Sequence, residues 1–222
     1  MNHTQKVEIV TPAQLRILEA FRKNPFSKLT FKELKTSANT HSHSKLQNAL
    51  LKFQILNLIK KETLGDVSSY QLNLENNETL LYLALIDLEH IKKKKQVFTM
   101  LQETTEQLGK QTEFFVILLF GSYAQGKETN KSDTDIAIIT EDEESKQIIR
   151  PETEILRRKS LFNPDFQIFT RKEFLEMLRS DEENVGKEIA RNNFIYYGAE
   201  FYYRLIIKIH NETFIKTVFG TS

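Results

Sequence analysis

The sequence predicts a two-domain chain of mixed α+β and α/β class. Residues 1–75 show helical apolar spacing followed by two short strand-like runs about a glycine turn. Residues 76–112 carry one sustained helical pattern, and from residue 113 apolar strand-like runs alternate with helical stretches. The 222 residues suit one large domain or two small ones, and 40% hydrophobic content is enough to build cores.

The elements follow in order. Thr11 is an N-cap with Pro12 at the first helical position, and Leu15, Leu18 and Phe21 recur at helical spacing until Asn24-Pro25. Phe31–Ser37 reads as a second short helix. A third covers about Ser44–Leu56, with Leu46, Ala49, Leu50, Phe53 and Leu56 on one face. Strands over Leu58–Thr63 and Ser69–Asn73 flank a turn with Gly65-Asp66, which makes a hairpin. Three helices and a hairpin form a winged helix-turn-helix arrangement, with the third helix as reader of a DNA major groove. His41, His43, Ser44, Lys45, Gln47 and Asn48 at its start are polar, and Lys60 and Lys61 on the wing suit phosphate. Such modules also dock proteins, and few basic residues lie on this helix, so both uses stay open.

A single helix is expected over Glu78–Lys110, linking the modules and offering a face for a homodimer. Its Lys92–Lys95 run is a solvated helix face or a nucleic-acid grip. The back half reads as a small α/β module with a mixed sheet. Its strands are Phe114–Phe120, Asp135–Ile139 and Phe166–Phe169, with a short extra one at Phe194–Gly198. Helices are expected at Ser145–Leu161, Arg171–Leu178, Glu182–Asn192 and Ala199–His210.

The charge is uneven. Residues 1–75 hold 11 Lys+Arg against 6 Asp+Glu, residues 76–112 hold 5 of each, and residues 113–222 hold 15 against 19. This matches domains at 1–75 and 113–222 joined by 76–112, and suggests different partners for front and back. The absence of cysteine excludes disulfides and thiolate metal sites. No apolar run reaches a membrane span and no signal-peptide core opens the chain, so the expected location is cytoplasmic.

The chemistry concentrates at Gly121-Ser122 and Asp133-x-Asp135. Residues one apart on a strand share a side, so Asp133 and Asp135 can share hard cations such as Mg²⁺. The Gly-Ser turn offers backbone N–H groups and a hydroxyl to phosphate. Ten residues, Tyr123 to Ser132, separate the turn from the pair, enough for both to meet across adjacent strands. Ser132 is placed to steady the pair, and Lys127 and Lys131 to meet phosphate. Tyr123 is a base-stacking or a turn-packing residue.

The stretch Gly121–Ile139, GSYAQGKETNKSDTDIAII, resembles the signature of the DNA-polymerase-β-like nucleotidyltransferase superfamily, closest to its minimal branch. The resemblance covers Phe114–Gly198, and the order behind a winged helix is similar to archaeal relatives. It implies that Gly121 and Ser122 bind the phosphates of an NTP, most often ATP, and that Ser132 belongs to the same nucleotide site. It implies that Asp133 and Asp135 hold two Mg²⁺, and that a third carboxylate lies on a later strand. Asp165 is the best match; alignment to Gln167 leaves the site one carboxylate short. Relatives often carry Arg where this chain has Gln125, which removes a phosphate-binding charge.

The implied activity is transfer of NMP, with AMP foremost, to a hydroxyl acceptor such as a protein partner. Antitoxin members of that branch modify HEPN-type toxins. The alternative is a DNA-binding regulator whose nucleotidyltransferase module only senses nucleotide.

Overall fold

The computed structural model describes residues 9–40, 42–129, 132–160 and 163–212; His41 and Lys131 lie outside them. The chain divides into two compact units, Met1–Leu83 and Ala84–Ser222.

In the first unit α1 spans Pro12–Leu18. Thr11 and Gln14 cap it reciprocally, the Thr11 N–H donating to Gln14 Oε1 at 2.9 Å. The helix is shorter than its apolar spacing suggests, because Glu19–Phe21 tightens into a 3₁₀ turn that buries Phe21. β1 (Leu29–Thr30) leads into α2 (Phe31–Ser37), capped by Thr30 and Glu33. α3 runs His43–Ile55 behind the Ser42 cap, and β2 (Ile59–Leu64) and β3 (Val67–Leu72) form the expected hairpin. The sheet order is β1-β3-β2, all antiparallel. β1 was not expected; at two residues it is too short to carry a period, and its pairing of Leu29 with Tyr70 is a tertiary event. Leu18, Phe21, Leu34, Leu46, Phe53 and Leu58 are almost wholly buried. Each such side chain contributes roughly 1.5–3 kcal/mol of burial.

The single helix expected over Glu78–Lys110 is instead two, α4 (Asn77–Lys92) and α5 (Lys95–Leu108). Lys94 has φ −103° and ψ 71°, outside helical values. The Lys94 ammonium pairs with Glu128 at this break. α5 buries Val97, Met100, Leu101, Thr104 and Leu108, so it is a core element of the second unit.

The second unit continues through β4 (Phe115–Phe120), α6 (Gly121–Gln125), β5 (Thr134–Thr140), α7 (Glu143–Lys159), β6 (Pro164–Thr170), α8 (Arg171–Arg179), α9 (Val185–Arg191), β7 (Asn193–Tyr197) and α10 (Ala199–Asn211). The sheet order is β6-β5-β4-β7. β5 is antiparallel to β4 and parallel to β6, and β7 is antiparallel to β4, which makes the sheet mixed as expected. All six residues of β4 are buried, the mark of a central strand covered on both faces. Where β4 and β7 slip register between Ile117 and Leu118, the buried Asp87 carboxylate accepts the Ile195 N–H at 3.0 Å. Among the described residues no helix is long and apolar enough to cross a membrane.

One ion pair ties α7 to α8. Lys146, 8% exposed, donates to both Glu173 oxygens at 2.7 Å, while Glu173 also caps α8 by accepting the Thr170 N–H. The Lys146 bond first, then the Thr170 N–H, hold the Glu173 carboxyl below its ordinary 4.5. A depressed carboxylate stabilises fully above its unfolded value and loses that contribution as pH falls through its folded value. Lys146→Met is therefore expected to cost about 1–2 kcal/mol at pH 7, discounted because Glu173 is 42% exposed. In thermal melts the gap from wild type should shrink as pH drops below 4.5. A gap that persists there would contradict the assignment.

Candidate active site

The end of β4 and the start of β5 meet at Gly121. This residue is buried with φ +63°, and a Cβ there would lie 2.8 Å from the Asp135 Cγ and closer still to its Oδ2. Only glycine accepts both the conformation and the contact. The Ser122 N–H, one residue on, donates to the Asp135 carboxylate. The Gly-Ser turn and the second Asp of the pair are thus in direct contact, as their spacing suggests. α6 ends at Gly126, which has φ +67°.

Asp133 sits just before β5 and is exposed, while Asp135, its second residue, is half-buried. In the parallel pairing of β5 and β6, Asp135 stands opposite Asp165, and Gln167 stands opposite Ala137. The register therefore puts Asp165 beside the pair rather than Gln167. Burial first, then the negative charges of Asp165, Asp133 and Glu188, raise the Asp135 carboxyl above 3.8; the Ser122 N–H opposes them. Four carboxylates thus share one field at the carboxyl-side rim of β4.

Three residues hydrogen-bond to this acidic group. Asn163 has φ +44°; its carbonyl accepts the Thr134 N–H at 3.3 Å and its side-chain amide donates a short bond to Asp133 Oδ1. Arg157 of α7 donates to Asp165 Oδ1 at 2.8 Å and to the Pro164 carbonyl at 3.3 Å. Gln167 donates to the other Asp165 oxygen at 3.4 Å. With Asp133 and Asp165 so engaged, no group of three or more His, Cys, Asp or Glu side chains among the described residues is arranged to hold a metal. The donor chemistry still suits a hard divalent cation. Asp133, Asp135 and Asp165 carry carboxylate oxygens, the donor type such a cation takes, and the charges of Asp133 and Asp165 repel that of Asp135; the Arg157 guanidinium is the positive partner of Asp165.

The other expected site residues divide. The Ser132 hydroxyl accepts the Thr129 N–H at 2.9 Å, so it ties its own loop rather than the Asp pair. Tyr123 packs against the core and carries the Lys94 ammonium 5.2 Å from its ring centroid, which is the turn-packing alternative. Gln125 and Lys127 are exposed.

A family model described as polymerase beta, nucleotidyltransferase, matches residues 102–194. It supports the nucleotidyltransferase superfamily for this stretch, and with it nucleotidyl transfer in general. The matched residues run from α5 to the start of β7 and include Gly121, Ser122, Asp133, Asp135 and Asp165. No curated protein and no solved structure matches the chain at a significant level.

In the matched stretch, Asn163, Arg157 and Glu188 are the residues around the candidate site that sequence reading did not assign to it. Asn163 alone left a signal, since Asn before Pro reads as a turn; the other two are helix residues brought in by packing.

In the first unit His43, Ser44, Lys45, Gln47 and Asn48 are all exposed on the first turns of α3. The His43 ring lies 4.5 Å from that of Phe31. Lys60 and Lys61 are on β2, adjacent and so on opposite faces, and Lys60 pairs with Glu75 at 3.0 Å. Leu64 and Val67, the strand ends that flank the exposed Gly65-Asp66 turn, are 88% and 58% exposed.

Proposed function

We propose that the second unit is a Mg²⁺-dependent nucleotidyltransferase that moves AMP from ATP to a hydroxyl of a protein partner. The observation that carries the reading is the contact of Gly121-Ser122 with Asp135, beside Asp165 in register. Asp133, Asp135 and Asp165 would hold two Mg²⁺, and the ions, when bound, would neutralise charge on the attacking and leaving oxygens. Gly121 leaves room for the triphosphate tail, and the Ser122 hydroxyl orients it. Asp165 takes the proton of the acceptor hydroxyl. That oxygen bonds to the α-phosphorus, the bond from this phosphorus to the oxygen bridging to the β-phosphorus breaks, and pyrophosphate leaves. Antitoxins of the minimal branch make an all-helical HEPN-type partner the favoured acceptor class. The test is incubation with labelled ATP, Mg²⁺ and candidate acceptor proteins. Label on the acceptor from wild type but not Asp133→Ala supports the reading; equal, background label from both would sink it.

A second reading rests on the first unit. Three helices and the sheet order β1-β3-β2, with polar α3 residues exposed, favour a winged helix-turn-helix that binds duplex DNA. Phosphate contacts make such binding salt-dependent. A mobility shift on the DNA upstream of its own gene is expected at low salt. Lys45→Ala should lower the slope of log affinity against log salt by about 1. No shift at low salt would remove this reading, and leave the nucleotide site untouched.

A further inference from the structure

The four lysines from the end of α4 to the start of α5 are not equivalent. Lys92 pairs with Glu89 at 3.3 Å on the exposed side. Lys94 turns inward. Its ammonium forms an ion pair with Glu128 Oε1, in the loop that follows α6, and lies 5.2 Å from the Tyr123 ring centroid. The side chains are 23% and 26% exposed, and burial lowers the Lys94 ammonium from its ordinary pKa. The second Glu128 oxygen, Oε2, is buried with no hydrogen-bond donor among the described residues.

Tyr123 follows Ser122 directly, and the Lys127 N–H donates to the Ser122 carbonyl at 3.0 Å, so the two residues that engage Lys94, Tyr123 and Glu128, each adjoin a residue of this hydrogen bond at the turn read as the triphosphate seat. The other nearby candidates differ: Gln125 carries no charge, and Lys127 is exposed. A partly desolvated ammonium attracts an anion more strongly than a solvated one. Its present partner meets it with one oxygen, while the other has no donor among the described residues, an incomplete arrangement for a covered pair. A triphosphate offers more negative charge and more oxygens than one carboxylate, and the four-carbon lysine stem allows the exchange.

We propose that Lys94 is a nucleotide-binding residue: its ammonium leaves Glu128 and pairs with the triphosphate of a nucleoside triphosphate held at Gly121-Ser122, supplying the charge that Gln125 lacks. The inference rests on the nucleotidyltransferase reading of this site. Glu128 is then a competing anion that holds the cation while no nucleotide is bound. Tyr123 is the surface over which the stem is aligned.

The test is calorimetric titration of the full chain with ATP and Mg²⁺, with inorganic tripolyphosphate as competitor. Lys94→Met is expected to weaken ATP binding about tenfold, as loss of one charge-assisted contact does. It should weaken tripolyphosphate competition in parallel, and Lys94→Arg should recover most of both. Glu128→Gln keeps Lys94 and removes its competitor, so it should bind ATP more tightly than wild type even if Lys94→Met folds poorly. Unchanged ATP affinity in Glu128→Gln, or in a folded Lys94→Met, while wild type binds well, would overturn the role of Lys94 alone. Absence of ATP binding by wild type would overturn the site reading and this inference together.

Discussion

Gly121→Ala is expected to abolish nucleotide-dependent chemistry and to destabilise the second unit by about 2–4 kcal/mol. Two costs coincide at this position. The backbone has φ +63°, which an L side chain adopts at a penalty, and the new Cβ would overlap the Asp135 carboxylate. Asp135 is fixed by β5, paired on one side with β4 and on the other with β6, so it has little room to retreat. The turn would have to move away from the pair, and the Ser122 N–H would lose its acceptor. Thermal unfolding and ATP titration check the two parts. A variant with wild-type melting and wild-type ATP affinity would show that the close approach of turn and carboxylate is dispensable.

Asp135→Asn should separate function from stability. The carboxylate is destabilising where it stands: burial and the charges of Asp165, Asp133 and Glu188 all oppose its ionisation. Asparagine keeps the shape and an acceptor for the Ser122 N–H while removing the charge. In metal-free buffer at pH 7 the variant is expected to melt above wild type, and transfer to an acceptor should fall by about a thousandfold or more, as for loss of an essential catalytic carboxylate. Functional sites often hold groups that the fold alone would reject. A lower melting temperature together with retained transfer would show Asp135 to be a structural residue.

Much of the candidate site was legible because it is local. Gly121, Ser122, Asp133 and Asp135 lie within fifteen consecutive residues, and strand alternation and turn chemistry act over that range. The alignment of Asp165 over Gln167 needed the β5–β6 register, which pairs Asp135 with Asp165 and which no single stretch of sequence encodes. The same holds for Arg157 at Asp165, Asn163 at Asp133 and Glu188 near Asp135, each brought in from a separate segment. The helix break at Lys93-Lys94 was hidden for another reason. Every residue there is an adequate helix former, and the break falls where Glu128, distant in sequence, engages Lys94. Ser132 and Tyr123 lie near the site in sequence, and their loop and core contacts likewise depend on the fold: Ser132 bonds Thr129, and Tyr123 takes the packing role that its sequence left open beside stacking.

The most direct measurement follows the two ends of ATP separately. With Mg²⁺ and an acceptor protein, label on the α-phosphate should appear on the acceptor, and label on the γ-phosphate should appear in released pyrophosphate, both lost in Asp133→Ala. Acceptor labelled from the γ-phosphate, or α-label transferred equally by wild type and Asp133→Ala, would contradict nucleotidyl transfer at this site.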